Sequence, residues 1–225
     1  TLDHVSGGRA TLGIGAGWFG LEHEALGFEF GTFTDRFEKL EEALQIIGPM
    51  LKGEPVTHDG SRYRTVEAVN SPAPLSSIPI MIGGSGEKKT LRMVAQYANE
   101  SNLVGLRSPD EIPRKLDALD AHCAALGRDR SEIAVTLLVP VNLAETTEQA
   151  DADFAAMAEV KGWSDEHVSL MKGAFVHGDP DTVGEKLRAL LDTGLDGLTV
   201  NAFVNGHVPE RVSLLGQVAT KALDS

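Results

Sequence analysis

Apolar and polar positions along this chain follow two alternating rhythms. Short apolar runs bounded by glycine or proline read as strands, and the stretches between them repeat apolar residues every three or four positions, as helices do. "RATLGIGAG" (9–17) is strand-like and ends in glycines. "TDRFEKLEEALQIIGPMLKG" (34–53) places Phe37, Leu40, Leu44, Ile47 and Leu51 at helical spacing. "PVTHDGSRYRTV" (55–66) carries Asp59-Gly60 between extended flanks, a hairpin signal. "PIMIG" (79–83) is a short buried strand, and the helix after it sets Leu91, Val94, Ala95 and Ala98 on one face.

The alternation continues. "SNLVG" (101–105) is a strand. Ser108-Pro109-Asp110-Glu111 predicts a helix start with a capping box and proline at the first position. That helix carries Ile112, Leu116, Leu119, Cys123 and Leu126 as its buried stripe, and Gly127 ends it. "EIAVTLLVPV" (132–141) is a long apolar strand, and "TTEQADADFAAMAEV" (146–160) is a helix beyond the regular repeat. "KGWSDEHVSLMKGAFVHG" has no clear period. "DPDTVGEKLRALLDTG" (179–194) is a helix capped by Asp179, "DGLTVN" (196–201) the last strand and "PERVSLLGQVATKAL" (209–223) the last helix. At the opposite terminus, "TLDHVSGGR" reads as a helix end stopped by Gly7-Gly8.

Alternation of this kind predicts an α/β fold with a parallel sheet. Five βα units are counted, whereas a closed eight-stranded barrel needs eight and about 250 residues. Either three units precede Thr1, or the sheet is open and whole as it stands. No low-complexity linker interrupts residues 1–225, so a single domain is expected.

Composition narrows the function. The net charge of −13 argues against sequence-independent nucleic-acid binding, which needs a basic footprint. Neither a signal peptide nor an apolar run of membrane-spanning length is found. One cysteine, Cys123, excludes an internal disulfide framework and fits a reducing cytoplasm. It falls on the apolar stripe of its helix, where a core role outweighs a nucleophilic one. The seven histidines give no pair at metal-ligand spacing, so no metal site is expected.

Two segments carry candidate chemistry. "IGGSGEKKTLRMVAQYA" (82–98) runs from a strand through a glycine-rich turn into a helix. Helix N-termini favour anions, glycines let an anion approach the backbone, and Ser85 adds a hydroxyl. Lys88, Lys89 and Arg92 make a local basic patch in an acidic chain. The plainer reading makes Ser85 an N-cap and leaves the lysines solvated. The turn lacks the Gly-Lys-Ser/Thr of a P-loop and the spacing of a dinucleotide fingerprint. "LGIGAGW" (12–18) ends a strand with alternating glycines that leave room for a flat ligand, followed by Trp18 and Phe19. Tight packing at the glycines and burial of Trp18 would explain it equally well. Asn142 and Asn201, at strand ends, are pocket candidates, with turn chemistry the equal alternative.

Taken together, "TLDHVSGGRATLGIGAGWFGLEHEALGFEF", "RFEKLEEALQII", "IPIMIGGSGEKKTLRMVAQYA" and "GDPDTVGEKLRALLDTGLDGLTVN" resemble the bacterial luciferase-like flavin and deazaflavin oxidoreductases. They look most like the coenzyme F420-dependent branch from actinobacteria. The resemblance spans nearly the whole chain and implies a (β/α)8 TIM barrel of the luciferase-like type, with strands 4–8 present and strands 1–3 absent from these residues. It implies a phosphate grip at Gly83, Gly84, Ser85 and Gly86, with Thr90 a further donor. It also sets Gly15, Ala16, Gly17 and Trp18 beside the deazaflavin or isoalloxazine ring. A small-molecule substrate and cofactor F420 are expected. Two alternatives stay open: an FMN-dependent monooxygenase, and a flavin-binding protein without turnover. A short form that covers an open sheet edge would be a homodimer.

The sequence departs from its relatives at two places. A sugar-phosphate dehydrogenase of this family has a catalytic glutamate directly after its "GTG". Here "GAG" is followed by Trp18, so that role is not carried over, and no catalytic residue is assigned. Glu22, His23 and Glu24 lie nearby, with a surface-helix role the stronger reading for each. "QYANESN" stands where relatives often have "YADGWN", and Ser101 replaces an aromatic group.

Overall fold

In the computed structural model, which describes residues 1–106 and 108–224, the chain falls into two compact units. The first holds residues 1–101 and 117–134, the second residues 102–116 and those from 135 onward. The division passes through two strands and a helix and follows no linker.

In the first unit, α1 (Leu2–Ser6) ends at Gly7, whose φ of 66° gives the left-handed cap that the glycine pair predicts. Asp3 ties this turn down, its Oδ2 accepting from the amides of Leu75 at 2.6 Å and Ser76 at 3.1 Å. β1 (Leu12–Ile14) is shorter than the expected 9–17, because the glycines beyond it turn the chain, Gly17 with φ 76°. α2 (Gly20–Leu26) follows and buries none of its residues.

α3 (Phe33–Leu51) starts from a capping box in which Thr32 and Asp35 exchange hydrogen bonds. It buries Phe37, Leu40, Leu44 and Ile46. Ile47, expected in that stripe, is only half-buried. The reason lies in the hairpin of β2 (Val56–Asp59) and β3 (Arg64–Ala68), which is antiparallel as predicted. Glu42 accepts from the amides of Tyr63 at 2.8 Å and Arg62 at 2.9 Å, and from the Ser61 amide and hydroxyl, both at 2.9 Å. Ile46 lies one turn beyond Glu42, on the face to which the hairpin is fastened.

Burial alone would raise the Glu42 carboxyl, but the amides of Tyr63 and Arg62 and the Ser61 donors outweigh it and hold it at about 2. A carboxyl depressed on folding adds stability above its ordinary value of 4.5 and loses it as pH falls toward 2. Thermal unfolding between pH 5 and pH 2 should accordingly fall less steeply in Glu42→Gln than in the unaltered chain. Parallel curves would refute the clasp.

β4 (Ile80–Gly83) pairs with β1 in parallel, Leu12 opposite Ile80 and Ile14 opposite Ile82. α4 (Thr90–Tyr97) returns over it and buries Leu91, Val94 and Ala95, with Ala98 just beyond, as the spacing predicts, and Met93 in addition. β5 (Glu100–Leu103) carries the chain into the second unit, with Ser101 fully buried. α5 (Glu111–Leu126) begins later than predicted. Ser108 carries the Asp110 amide on its Oγ at 3.3 Å and the Glu111 amide on its carbonyl at 3.1 Å, so Pro109 and Asp110 form a turn ahead of the helix. Ile112, Leu119 and Cys123 are buried as expected, Leu116 is half-buried, and Leu126 in the last turn is exposed.

In the second unit, β6 (Ala134–Leu143) leads to α6 (Thr147–Lys161), α7 (Asp165–Gly173), β7 (Val176–Gly178), α8 (Pro180–Leu191), β8 (Gly197–Asn201) and α9 (Pro209–Asp224). β6 is long enough to serve two parallel partners: residues 136–140 pair with β8 and residues 141–143 with β7. The β7–α8 pair adds a sixth strand–helix unit to the five counted. Asp179 starts α8 as predicted, accepting from the Thr182 amide at 2.9 Å, with Pro180 first in the helix. Thr182, then Thr147, hold its carboxyl at about 2. A cluster of Phe154, Phe175 and Val204 forms a core, with Met157, Trp163, Val168 and Met171 packed against it. Among the described residues, no helix is long and apolar enough to cross a membrane.

Candidate functional site

The parallel register of β1 and β4 brings their carboxyl ends together in the first unit. One residue past the last pair, a Cβ on Gly15 would lie 3.5 Å from the carbonyl of Gly83. The two glycine segments, 68 positions apart in sequence, are therefore neighbours at one end of the sheet.

The Gly83–Gly86 turn is shaped by Thr90, a buried residue at the start of α4. Gly84 has φ 132°, and a Cβ there would stand 3.1 Å from Thr90 Cγ2. A Cβ on Gly86 would stand 3.0 Å from Thr90 Oγ1. Thr90 supports the turn from behind. The helix start falls at Lys89, and no side chain caps it by hydrogen bonding, so the plainer reading of Ser85 as an N-cap is corrected. The Leu91 amide of that first turn is taken by the Gly86 carbonyl at 3.0 Å, so what the helix start offers an acceptor is mainly the positive end of its dipole.

The basic patch is smaller than the sequence suggests. Arg92 pairs with Glu41 at 3.2 Å, and Lys89 Nζ lies 5.0 Å from the Phe33 ring centroid. Lys88 is exposed beside the turn. The Lys89–Phe33 contact places the first turn of α3 next to the glycine turn.

At the β1 end, Ala16 is half-buried and Gly17 carries the positive φ. Trp18 is 84% exposed, so burial does not explain it. Its ring lies 5.2 Å from that of Phe19. Of the three groups nearby, His23 is the one turned back to the strand end. Its Nδ1 lies 2.9 Å from the Phe19 carbonyl, which only accepts, so the proton sits on Nδ1. Nε2 then offers a lone pair 3.5 Å from where a Gly17 Cβ would be. Phe30 holds the ring edge-on at 4.9 Å. Such an imidazole can exchange a proton at the strand end, whereas Glu22 and Glu24 are exposed on α2.

Asn142 and Asn201 part company. Asn201 is exposed at the end of β8, while Asn142 is fully buried in a polar network of the second unit. Asn142 Nδ2 donates to the Ala150 carbonyl at 2.7 Å and to His177 Nδ1 at 3.0 Å, and its Oδ1 accepts from Asn205 at 3.1 Å. Those acceptors fix the amide orientation, so His177 Nδ1 accepts and Nε2 donates to Asp151 at 2.6 Å. Lys172 also pairs with Asp151, and Asn205 donates to Asp153 at 2.9 Å. Both ring nitrogens of His177 are engaged, which makes this a structural fastening of α6 and α7 and not a reactive pocket group. Neither His177 nor Asn205 stood out in the sequence, because the network is visible only once β6 and β7 are paired. Among the described residues, no three His, Cys, Asp or Glu side chains are grouped to hold a metal ion.

Residues 1–197 match the family model described as luciferase-like monooxygenase, and the chain belongs to that family. It is 33% identical to an F420-dependent glucose-6-phosphate dehydrogenase of Microbacterium testaceum, over 63% of this chain and 42% of that protein's length. A protein of the same name from Nakamurella multipartita is 29% identical over 96% of this chain and 69% of its own. Among solved structures, a coenzyme F420-dependent tetrahydromethanopterin reductase from Methanopyrus kandleri superposes with a TM-score of 0.77 at 22% identity, covering 98% of this chain and 76% of that one. The likeness shows that the α/β fold of parallel strand–helix units is the luciferase-like TIM-barrel fold.

Proposed function

We propose that this chain is an F420-dependent oxidoreductase that exchanges hydride between the deazaflavin and a small organic substrate. The reading includes a single luciferase-like domain over residues 1–225, a homodimer and a cytoplasmic location. The observation that carries it is the pairing of two glycine-rich strand ends, one of them opening an uncapped helix. The relatives named above as F420-dependent support it.

The residues present fit such a cofactor. At Gly84 and Gly86 any side chain would press on Thr90, so the backbone stays bare for a phosphate. Gly83, Gly84, Ser85 and Gly86, backed by Thr90, would hold that phosphate, with Lys88 balancing its charge. Gly15, Ala16, Gly17 and Trp18 would lie along the ring. F420, when bound, supplies two-electron hydride transfer, and the protein supplies position and electrostatics. His23 Nε2 would exchange the proton that accompanies reaction at the substrate.

The family's description as monooxygenase favours FMN as the second reading. A fluorescence titration of the chain with oxidised F420 and, separately, with FMN decides between them. Tight binding of F420 alone is expected. Binding of FMN alone would replace the deazaflavin reading by the monooxygenase one, and binding of neither would remove both. Ser85→Ala should weaken cofactor binding by about 1 kcal/mol, roughly fivefold, through loss of one hydrogen bond to phosphate. Unchanged affinity would count against the phosphate turn.

A further inference from the structure

Helix α4 is held at both ends by α5 and the residues just after it. His122, half-buried on α5, has its Nε2 2.8 Å from the carbonyl oxygen of Glu87, in the turn between Gly86 and α4. A carbonyl only accepts, so the proton sits on Nε2, and it stays there whether the ring is neutral or charged. At the other end, Arg128 Nη1 donates to the carbonyls of Val94 at 3.3 Å and Ala95 at 3.0 Å, in the last turn of α4. Arg128 meets a need common to helices, whose last carbonyls lack partners of their own. The His122 bond answers no such need, since Glu87 lies ahead of the helix.

What His122 fixes is the plane of the Glu87–Lys88 peptide. That peptide is trans, so its N–H points opposite to its carbonyl and away from α5. The Lys88 amide donates to no carbonyl among the described residues. It lies two residues past Gly86, whose own carbonyl takes the Leu91 amide and closes the chain around it. We infer that His122 is a positioning residue of the glycine turn: it holds the Glu87 carbonyl toward α5 and so presents the Lys88 N–H as a further donor to a bound phosphate. This rests on the proposed phosphate turn and adds to it a donor and the side chain that aims it.

The test is the F420 titration run on the unaltered chain and on His122→Gln, His122→Asn, His122→Leu and Arg128→Ala, with thermal unfolding of each. Gln carries its amide nitrogen as far along the side chain as Nε2, whereas Asn stops at the place of Nδ1. The Gln variant should therefore bind within about twofold of the unaltered chain, and the Asn and Leu variants about five- to tenfold more weakly. Arg128→Ala should lower the melting temperature and leave the affinity within about twofold, because it loosens the far end of α4. Full affinity in the Leu variant, a Gln variant as weak as the Leu one, or losses that follow melting temperature in every variant would overturn the inference. Inorganic phosphate gives a readout free of the cofactor. It should move the Lys88 amide resonance in the unaltered and Gln chains and leave it in place in the Leu chain. If F420 fails to bind while phosphate still moves that resonance, the cofactor reading falls and the role of His122 stands. A Lys88 resonance unmoved by both F420 and phosphate overturns the inference whatever the affinities.

Discussion

Gly84→Ala should weaken F420 binding by about ten- to a hundredfold, a larger loss than Ser85→Ala produces. Gly84 sits at φ 132°, where a side chain strains the backbone by about 1–3 kcal/mol. Its new methyl would also approach Thr90 Cγ2 to 3.1 Å, tighter than ordinary contact. Thr90 is buried at the head of α4, so the turn itself has to yield. The shape that leaves the backbone bare for a phosphate would be lost while β4 and α4 remain. The measurement is the F420 titration run on the variant, with circular dichroism to show that the fold is retained. A folded Gly84→Ala that binds with unaltered affinity would rule out this turn as the phosphate site.

Asn142→Ala should destabilise the second unit by about 3 kcal/mol and lower its melting temperature by roughly 6–12 °C. One amide here serves the Ala150 carbonyl, His177 Nδ1 and Asn205 Nδ2, all around a fully buried position. Each buried group left without a partner costs about 1–3 kcal/mol, reduced where a neighbour such as Asn205 keeps its other acceptors. Urea unfolding followed by Trp163 emission measures the loss, because Trp163 packs against Phe154 on α6, 6.2 Å between ring centroids. A change below about 1 kcal/mol would show that the network contributes little and that α6 is held by its apolar face alone.

Elements with several turns or a complete alternation were legible in the sequence, and brief ones were not. α3, α4, α6, α8 and the β2–β3 hairpin fall where spacing and cap residues put them. β7 escaped because Val176, His177 and Gly178 offer one apolar side chain and no period. Ile47 is expected in the stripe and Ile46 is buried instead, because a helix stripe assumes one covered face, whereas α3 is covered again by the hairpin at Glu42. The glycines of both strand ends were visible as composition, but their adjacency depends on the β1–β4 register, which no local pattern encodes. The same holds for the proton on His23 Nδ1, fixed by a carbonyl four residues back whose direction only the α2 turn determines. Of the two readings of Trp18, burial is set aside by its exposure.

The hairpin has a consequence for anyone wishing to extend this protein. Asp59-Gly60 resembles the small, polar loop tip at which natural and engineered chains usually accept foreign sequence. Here the tip is folded back onto α3, and a Cβ on Gly60 would stand 2.3 Å from Glu42 Oε2. The donors of Ser61, Arg62 and Tyr63 converge on that one carboxylate, and added residues would disperse them. An epitope or reporter spliced between Asp59 and Gly60 would unfasten the hairpin from its helix, so a graft belongs at another turn.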